Sequence, residues 1–335
     1  MFICAADTHL QVSAWSGHQE LAGDSLKSFG QIVDHTVNSK AKALVLPGDI
    51  LDCNRPSSAV VNFLLQQLAK LRACEVPVYF VQGQHCRAEP CWLQVVEDPN
   101  VIRLTPELAV ELEKGVVLSG ADHMPAEQLQ ETLKKIPKKV THLVLHQMLK
   151  PLMGWNMDLE WVPEHVKLVL LGDYHRKFSL DKAHYPGSTC MQAIDEPADK
   201  YFFEVTGTKV KPIQLNTRPF MACVVTNEDE LSKMAQDVME FKGNEVGNPL
   251  VLIRCGFEAE KVFEEAKKSN PEAIIMLRAL PTNKEQVAVS VDTPTLEGCL
   301  DAVIDSGKEP ELRSFLVELM AAPDARDVIE SKVPG

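Results

Sequence analysis

The stretch that decides the fold is Ala43-Leu44-Val45-Leu46-Pro47-Gly48-Asp49-Ile50-Leu51-Asp52. Ala43–Leu46 is apolar on every residue, too short for a helix, and stopped by Pro47-Gly48. An apolar run of that length bounded by turn residues reads as a strand buried on both faces. It empties into a loop with two carboxylates, Asp49 and Asp52. The same arrangement repeats outward along the chain. Phe2–Ala6 runs into Asp7-Thr8-His9, and Val76–Val81 into Gly83-Gln84-His85. Leu143–Leu145 ends on His146, and Val166–Leu171 on Gly172-Asp173-Tyr174-His175. Between these runs lie helical patterns: Leu26–Asn38, Ser57–Arg72 with Val60, Val61, Leu64, Leu65, Leu68 and Leu71 at helical spacing, and Leu129–Ile136. Short apolar strands alternating with helices predict an α/β sandwich with helices on both faces.

Five predicted strand ends thus each carry an Asp, a His or an amide. Ligands in open α/β sheets gather at the carboxyl ends of strands. Taken singly, each group has an ordinary explanation as a turn, a cap or a core histidine. In series, at successive strand ends, they point to a metal centre. Carboxylate, imidazole and amide oxygen without thiolate suit Mn²⁺, Fe²⁺ or Zn²⁺. The nine cysteines are scattered without a C-x-x-C pair and read as reduced thiols.

Composition sets the other limits. The 335 residues carry 34 Lys+Arg and 47 Asp+Glu, a net charge of −13, with 45% hydrophobic residues. That is a globular chain of two or three domains. No apolar run approaches the roughly 20 residues of a membrane helix. The apolar start reaches Asp7 too soon for a secretory core, so a cytoplasmic protein is expected. Residues 1–215 hold 21 basic and 25 acidic side chains and residues 216–335 hold 13 and 22, so the acidity concentrates in the second part. Such a chain does not grip nucleic acid by bulk charge, although bound cations can invert the sign locally. The pattern changes near Pro212–Pro219. Beyond it, Glu230–Phe241 and Glu258–Ser269 read as helices and Leu250–Cys255 and Ala273–Arg278 as strands. Two amphipathic stripes follow, Leu296–Ile304 and Leu312–Leu319.

The order D-x-H, G-D-x-x-D, G-Q-H, H, G-D-x-H resembles the signature of calcineurin-like metallophosphoesterases. Ala183-His184-Tyr185-Pro186-Gly187-Ser188-Thr189 and Ile213-Gln214-Leu215-Asn216-Thr217-Arg218-Pro219-Phe220 narrow the likeness to SbcD-type nucleases, the nuclease subunits of double-strand-break repair complexes. The resemblance implies a four-layer α/β metallophosphoesterase sandwich over residues 1–215. It further implies a small α+β capping domain over 216–290 and C-terminal helices over 291–335. It implies two divalent ions, Mn²⁺ first and Mg²⁺ second. Asp7, His9, Asp49 and His175 would hold one ion. Asp49, Gln84, His146 and Asp173 would hold the other, with His85 as the catalytic histidine. The implied reaction is in-line attack of water on a phosphodiester across ions about 3.5–4 Å apart, with His85 as general acid or phosphate-orienting group. The substrate would be DNA, as duplex ends or single strands. Arg55 and Arg87, just after the second and third motifs, could touch its phosphates, although surface ion pairing is the more ordinary reading of both.

Two ligands depart from the family pattern, and both fall on the second ion: Gln84 stands for Asn and Asp173 for His. Carboxylate in place of imidazole makes that position harder and more anionic. Cys86 replaces an acid that could orient His85. These departures keep open a non-catalytic or weakly active structural subunit, and a phosphodiesterase on another substrate remains a further alternative. The resemblance also implies an SbcC-type, SMC-like coiled-coil ATPase gripped through Leu312, Phe315, Leu316 and Leu319, and a homodimer through the helix Ser57–Arg72. His18, His35, His123, His142 and His165 have no motif around them and read as ordinary surface or core histidines.

Overall fold

The computed structural model describes residues 1–11, 21–87, 91–95 and 98–280. The two C-terminal stripes, with Leu312, Phe315, Leu316 and Leu319, lie outside these residues, as does His18.

The first sheet has the order β12-β11-β1-β2-β3-β4. Its strands are β1 (Phe2–Cys4), β2 (Leu44–Pro47), β3 (Val78–Val81), β4 (Val101–Arg103), β11 (Tyr201–Thr206) and β12 (Lys209–Gln214). β1 to β4 run parallel, and β11 pairs antiparallel to both β1 and β12. The second sheet has the order β5-β6-β7-β8-β10-β9, from β5 (Val110–Glu113), β6 (Val116–Ala121), β7 (His142–His146), β8 (Leu168–Gly172), β9 (Phe178–Leu180) and β10 (Ala183–Tyr185). There β6, β7 and β8 are parallel.

Strand alternation explains the layers, because successive side chains leave opposite faces. In the first sheet Ile3, Leu44, Leu46, Val78 and Phe80 face α1 (Asp24–Asn38) and α2 (Ser58–Ala73), packing with Phe29, Ile32, Leu64 and Leu68. The residues between them, Phe2, Cys4, Val45, Tyr79 and Val81, face the second sheet and meet Leu118, Val144, Leu168 and Leu170. The far side of the second sheet, Leu143, Leu145, Val169 and Leu171, is covered by Leu129 and Leu133 of α4 (Ala126–Leu133). The result is helix, sheet, sheet, helix. The central strands of both sheets are buried on both faces, which is why they read as continuous apolar runs.

α2 opens with the Ser57 side chain accepting from the Val60 N–H, an N-cap that its sequence announces. α4 starts three residues before the expected Leu129 because Pro125 supplies its N-cap position. A third sheet joins β13 (Phe220–Val225), β14 (Leu250–Cys255) and β15 (Ile274–Ala279) in parallel. α5 (Glu228–Glu240) and α6 (Ala259–Ser269) lie in the two crossovers and bury Leu231, Met234, Val238 and Val262 against it. β13 lies in a stretch to which the sequence reading assigned no element. Six apolar residues directly after Pro219 become a strand because β14 pairs along their whole length.

Candidate metal centre

β1, β2 and β3 end at one edge of the first sheet, and β7 and β8 end at the matching edge of the second. His146 at the end of β7 donates from Nδ1 to the Pro47 carbonyl at the end of β2, at 2.7 Å. The two edges therefore meet at one cleft. The loop after β1 is tied to the loop after β2 by Asp7 N–H to Gly48 O, His9 N–H to Asp49 O, and the Thr8 hydroxyl to Ile50 O. The Asp173 N–H donates to both Asp7 carboxylate oxygens, at 3.0 and 3.2 Å. The His85 N–H donates to Asp49 Oδ1 at 2.9 Å.

Glycines make this closeness possible. A Cβ on Gly83 would lie 2.2 Å from Asp49 Oδ1, and one on Gly172 2.0 Å from the Pro47 carbonyl oxygen. The backbone is also strained here. Asp7, His9, Asp49 and Asp173 all adopt positive φ, at 49°, 40°, 43° and 91°. A non-glycine residue held in that region costs of order 1–3 kcal/mol, and such residues cluster at functional sites.

Seven of the eight residues expected to act converge in two adjoining groups. His9 Nε2 and His175 Nε2 point at each other at 3.2 Å, with Asp7 close enough to complete a three-ligand cluster. Each imidazole is backed by a carboxylate on its other nitrogen: Asp52 Oδ1 lies 3.2 Å from His9 Nδ1, and Glu196 Oε1 lies 2.6 Å from His175 Nδ1. The second group is Asp7, Asp49 and His146. His146 Nε2 faces Asp49 Oδ2 at 3.2 Å and Asp173 Oδ1 at 4.0 Å. Both His146 Nε2 and Asp49 Oδ2 are buried without a hydrogen bond of acceptable geometry. Buried polar atoms are rarely left so, and a cation between them would satisfy both. Gln84 Nε2 donates to Asp173 Oδ1 at 2.8 Å, so the two residues that depart from the family pattern hold each other. His85 is exposed on the rim, its ring edge-on to His9 at 5.0 Å, and within ligand reach of His9 and Asp52.

The electrostatics agree with a cation site. Burial opposes charge on Asp49, but the His146 imidazole, His9 and the His85 N–H outweigh it and bring its carboxyl down to about 2. Burial likewise opposes a proton on His146, yet Asp49, Asp7 and Asp173 raise it to about 9. Asp7, wholly buried, is pushed up by desolvation against the pull of His146, His175 and His9. A proton on His146 fills the place that a divalent ion would take. The donor set of carboxylates, imidazoles and an amide fits such an ion.

Sequence reasoning missed three groups. Glu196 and Lys200 back His175, and neither sits in a motif. His123, taken as an ordinary histidine, packs edge-on against His146 at 6.2 Å and lies within 3.5 Å of Asn156 Nδ2. Burial lowers its basicity, and Arg87 is close enough to add to that. Asp122, the residue before it, accepts from the Gln82 N–H and pairs with Arg103, which fixes the loop. Arg55 and Arg87 are exposed. Cys86 is buried in the core beneath α1 and α2, and among the described residues no hydrogen bond is made by the His85 ring. His35, His142 and His165 serve the scaffold, bonding Glu204, Gly207 O and Pro137 O. His184 bonds Ser179, away from the cleft. No helix among the described residues is long and apolar enough to cross a membrane.

Comparison with known proteins agrees with this geometry. A profile of the calcineurin-like phosphoesterase family matches residues 1–177. The DNA double-strand break repair protein Mre11 of Methanosarcina acetivorans is 26% identical over 245 residues, which is 64% of this chain and 39% of that protein. Its namesake from Sulfolobus acidocaldarius is 27% identical over 192 residues, 52% of this chain and 50% of that one. The chain thus spans half or less of the length of these relatives. Among solved structures, TT1561 of Thermus thermophilus is similar at a TM-score of 0.41 and 13% identity, covering 64% of this chain and 97% of that one.

Proposed function

Because the chain belongs to the calcineurin-like phosphoesterase family, we propose that it is a dinuclear-metal phosphodiesterase acting as a DNA nuclease in end processing, recombination and repair. One observation carries the reading: two imidazole nitrogens converge at 3.2 Å beside a buried carboxylate–imidazole pair that lacks a hydrogen bond. The relatives named for double-strand break repair point to DNA as the substrate.

Asp7, His9, Asp49 and His175 would hold one ion, and Asp49, Gln84, His146 and Asp173 the other. Bound there, two Mn²⁺ ions, or Mg²⁺ in their place, supply Lewis acidity toward the phosphodiester and toward water. Asp52 and Glu196 lie on the Nδ1 sides of His9 and His175 and leave the two Nε2 atoms facing each other, where they would meet an ion. The His85 N–H holds Asp49 from the rim, and its exposed imidazole is free to hand a proton to the leaving oxygen or to hold a phosphate oxygen. Arg55 and Arg87, exposed after β2 and β3, would meet the DNA backbone, and the ions offset the negative charge of the carboxylates toward it.

By the same resemblance, residues 216–290 form a capping domain and 291–335 bind an SMC-like ATPase through Leu312, Phe315, Leu316 and Leu319. α2 would form the homodimer contact, and the protein would work in the cytoplasm. The Gln84–Asp173 hydrogen bond favours one second reading, a structural subunit whose second ion is weak. Cleavage of end-labelled duplex and single-stranded DNA with Mn²⁺, Mg²⁺ or no metal separates the two. Cleavage that needs metal and disappears in both Asp49→Ala and His85→Ala is the expected result. No cleavage above those variants, with the ATPase present, overturns the nuclease and leaves the structural subunit.

A further inference from the structure

Behind the convergent imidazoles lies a buried network centred on Glu196 and Lys200, two residues outside the motifs quoted above. Glu196 spreads its two oxygens over different partners. Oε1 faces His175 Nδ1 at 2.6 Å. Oε2 accepts from Lys200 Nζ at 2.5 Å and the Gln192 N–H at 3.1 Å, and lies 3.0 Å from the Ser188 hydroxyl, whose one proton also has Cys190 O at 3.1 Å and His175 O at 3.4 Å as acceptors. Lys200 Nζ also donates to Ser188 Oγ at 2.8 Å. The side chains of Lys200 and Glu196 are only 2% and 9% exposed. A lysine is almost never buried so deeply without a paired charge.

The ammonium and the backbone N–H, neither of which can accept, hold the Oε2 side, so Oε1 is left to face His175. A carboxylate oxygen accepts and cannot donate, so His175 must carry its proton on Nδ1. Its Nε2 lone pair is then turned toward His9. We infer that Glu196, anchored by the buried Lys200 ammonium, is a positioning residue that sets the tautomer of His175 and so completes the cation position shared with His9. The inference rests on the metal reading of this cleft.

The substitution Glu196→Gln makes it testable, because it keeps shape and changes only donors. The Lys200 ammonium and the Gln192 N–H still demand an acceptor, so the new amide places its oxygen there and turns its NH₂ toward His175. Nδ1 must then accept, and the proton moves to Nε2, where it blocks the cation. Replacing Lys200 by Met as well removes the strongest of those donors and frees the amide to turn over.

The two readouts are Mn²⁺ affinity by calorimetry and the His175 tautomer by long-range ¹H–¹⁵N spectra of the ion-free chain. The expected results are a proton on His175 Nδ1 in the wild type and an Nδ1 without one, the proton lying on Nε2, in E196Q. E196Q should lose Mn²⁺ affinity tenfold or more, within the range known for groups that orient metal ligands. E196Q/K200M should recover part of the loss. A role in packing alone makes the double variant worse than the single one, and that result overturns the inference. So does an E196Q chain that keeps wild-type affinity and the Nδ1–H tautomer. Should E196Q fail to fold, the wild-type spectrum decides alone, since a His175 ring with no proton on Nδ1 overturns the assignment. A wild type that binds no Mn²⁺ removes the metal reading and this inference together, whereas bound Mn²⁺ without DNA cleavage removes only the nuclease.

Discussion

Gly83 shows how narrow the tolerance of the centre is at the scale of one residue. An added Cβ would sit 2.2 Å from Asp49 Oδ1, 2.5 Å from Asp49 Cγ and 2.7 Å from the Asp49 backbone nitrogen. The carboxylate could swing away, but the backbone nitrogen cannot, since the Asp49 carbonyl is bonded to His9 N–H on the facing loop. Gly83→Ala must therefore displace the Asp49 carboxylate, proposed above to hold both ions, and with it the hydrogen bond from His85 N–H. The expected outcome is a loss of Mn²⁺ affinity of tenfold or more, about 1.4 kcal/mol or above. The α/β circular dichroism should be retained, because Gly83 lies after β3 and outside the hydrophobic clusters. Titration calorimetry beside a far-ultraviolet spectrum checks both halves, and unchanged affinity would show that Asp49 does not hold an ion from this position. The same crowding explains the positive φ angles at Asp7, His9, Asp49 and Asp173. Each turns a side chain back over its own strand end, a conformation that Asp tolerates better than most residues.

Between elements, Arg218 makes a buried bidentate contact whose removal should be costly. Its Nε and Nη2 grip both oxygens of Asp24 at 2.7 and 2.8 Å, and its Nη1 donates to Asn248 O at 2.7 Å. Asp24 begins α1, and Arg218 stands two residues before β13, so one guanidinium joins the first helix to the third sheet. Gly247 leaves room for it, since a Cβ there would lie 2.5 Å from Nη1. Removing one partner of a fully buried pair costs about 3–5 kcal/mol. The Asp24 side chain is 16% exposed, and water can partly replace the arginine there, so about 2–3 kcal/mol is expected for Arg218→Ala. Arg218→Lys should restore less than half, because an ammonium cannot make the bidentate contact. Urea denaturation of the three chains measures both numbers. This residue also marks what the sequence discloses. The strand-end groups are legible because each is local: an apolar run, a turn residue, then an acid or a histidine within three positions. Thr217-Arg218-Pro219-Phe220 is legible only by resemblance, since no local rule says that the arginine reaches back to Asp24. Glu196 and His123 escape notice because their meaning arises from partners 21 and 23 residues away, His175 and His146. β13 escapes because a strand adjoining a Pro-containing linker looks like more linker until β14 pairs with it.

Over the whole molecule, the centre exists only while the two sheets are packed. Asp7, His9, Asp49, Gln84 and His85 come from loops of the first sheet, and His146, Asp173 and His175 from the second. At the opposite end of the strands, His142 performs a comparable joining. It begins β7, and its Nε2 donates to Gly207 O in the turn between β11 and β12 at 2.8 Å, while its ring packs edge-on against Phe2 of β1. That geometry uses the neutral imidazole, and burial lowers its basicity despite the Gly207 carbonyl, which pulls the other way. The sign of the pH effect follows. The unfolded chain takes up a proton near pH 6.5, while the folded chain resists it until a lower pH. Between those points the unfolded state binds more protons, and stability falls as the pH falls. His146 and His175, both raised, act in the opposite sense in the ion-free chain, so the wild-type profile alone is a mixture. His142→Gln separates them, because a glutamine does not titrate and the site lies at the far end of the strands, where contributions add. The stability advantage of the wild type over His142→Gln is expected to be full above pH 7 and to shrink as the pH falls through 6.5 toward 5. Denaturant midpoints of both chains in chelator, taken across that range, measure it. An advantage that grows on acidification would mean that His142 carries its proton in the folded state and joins the sheets as a cation.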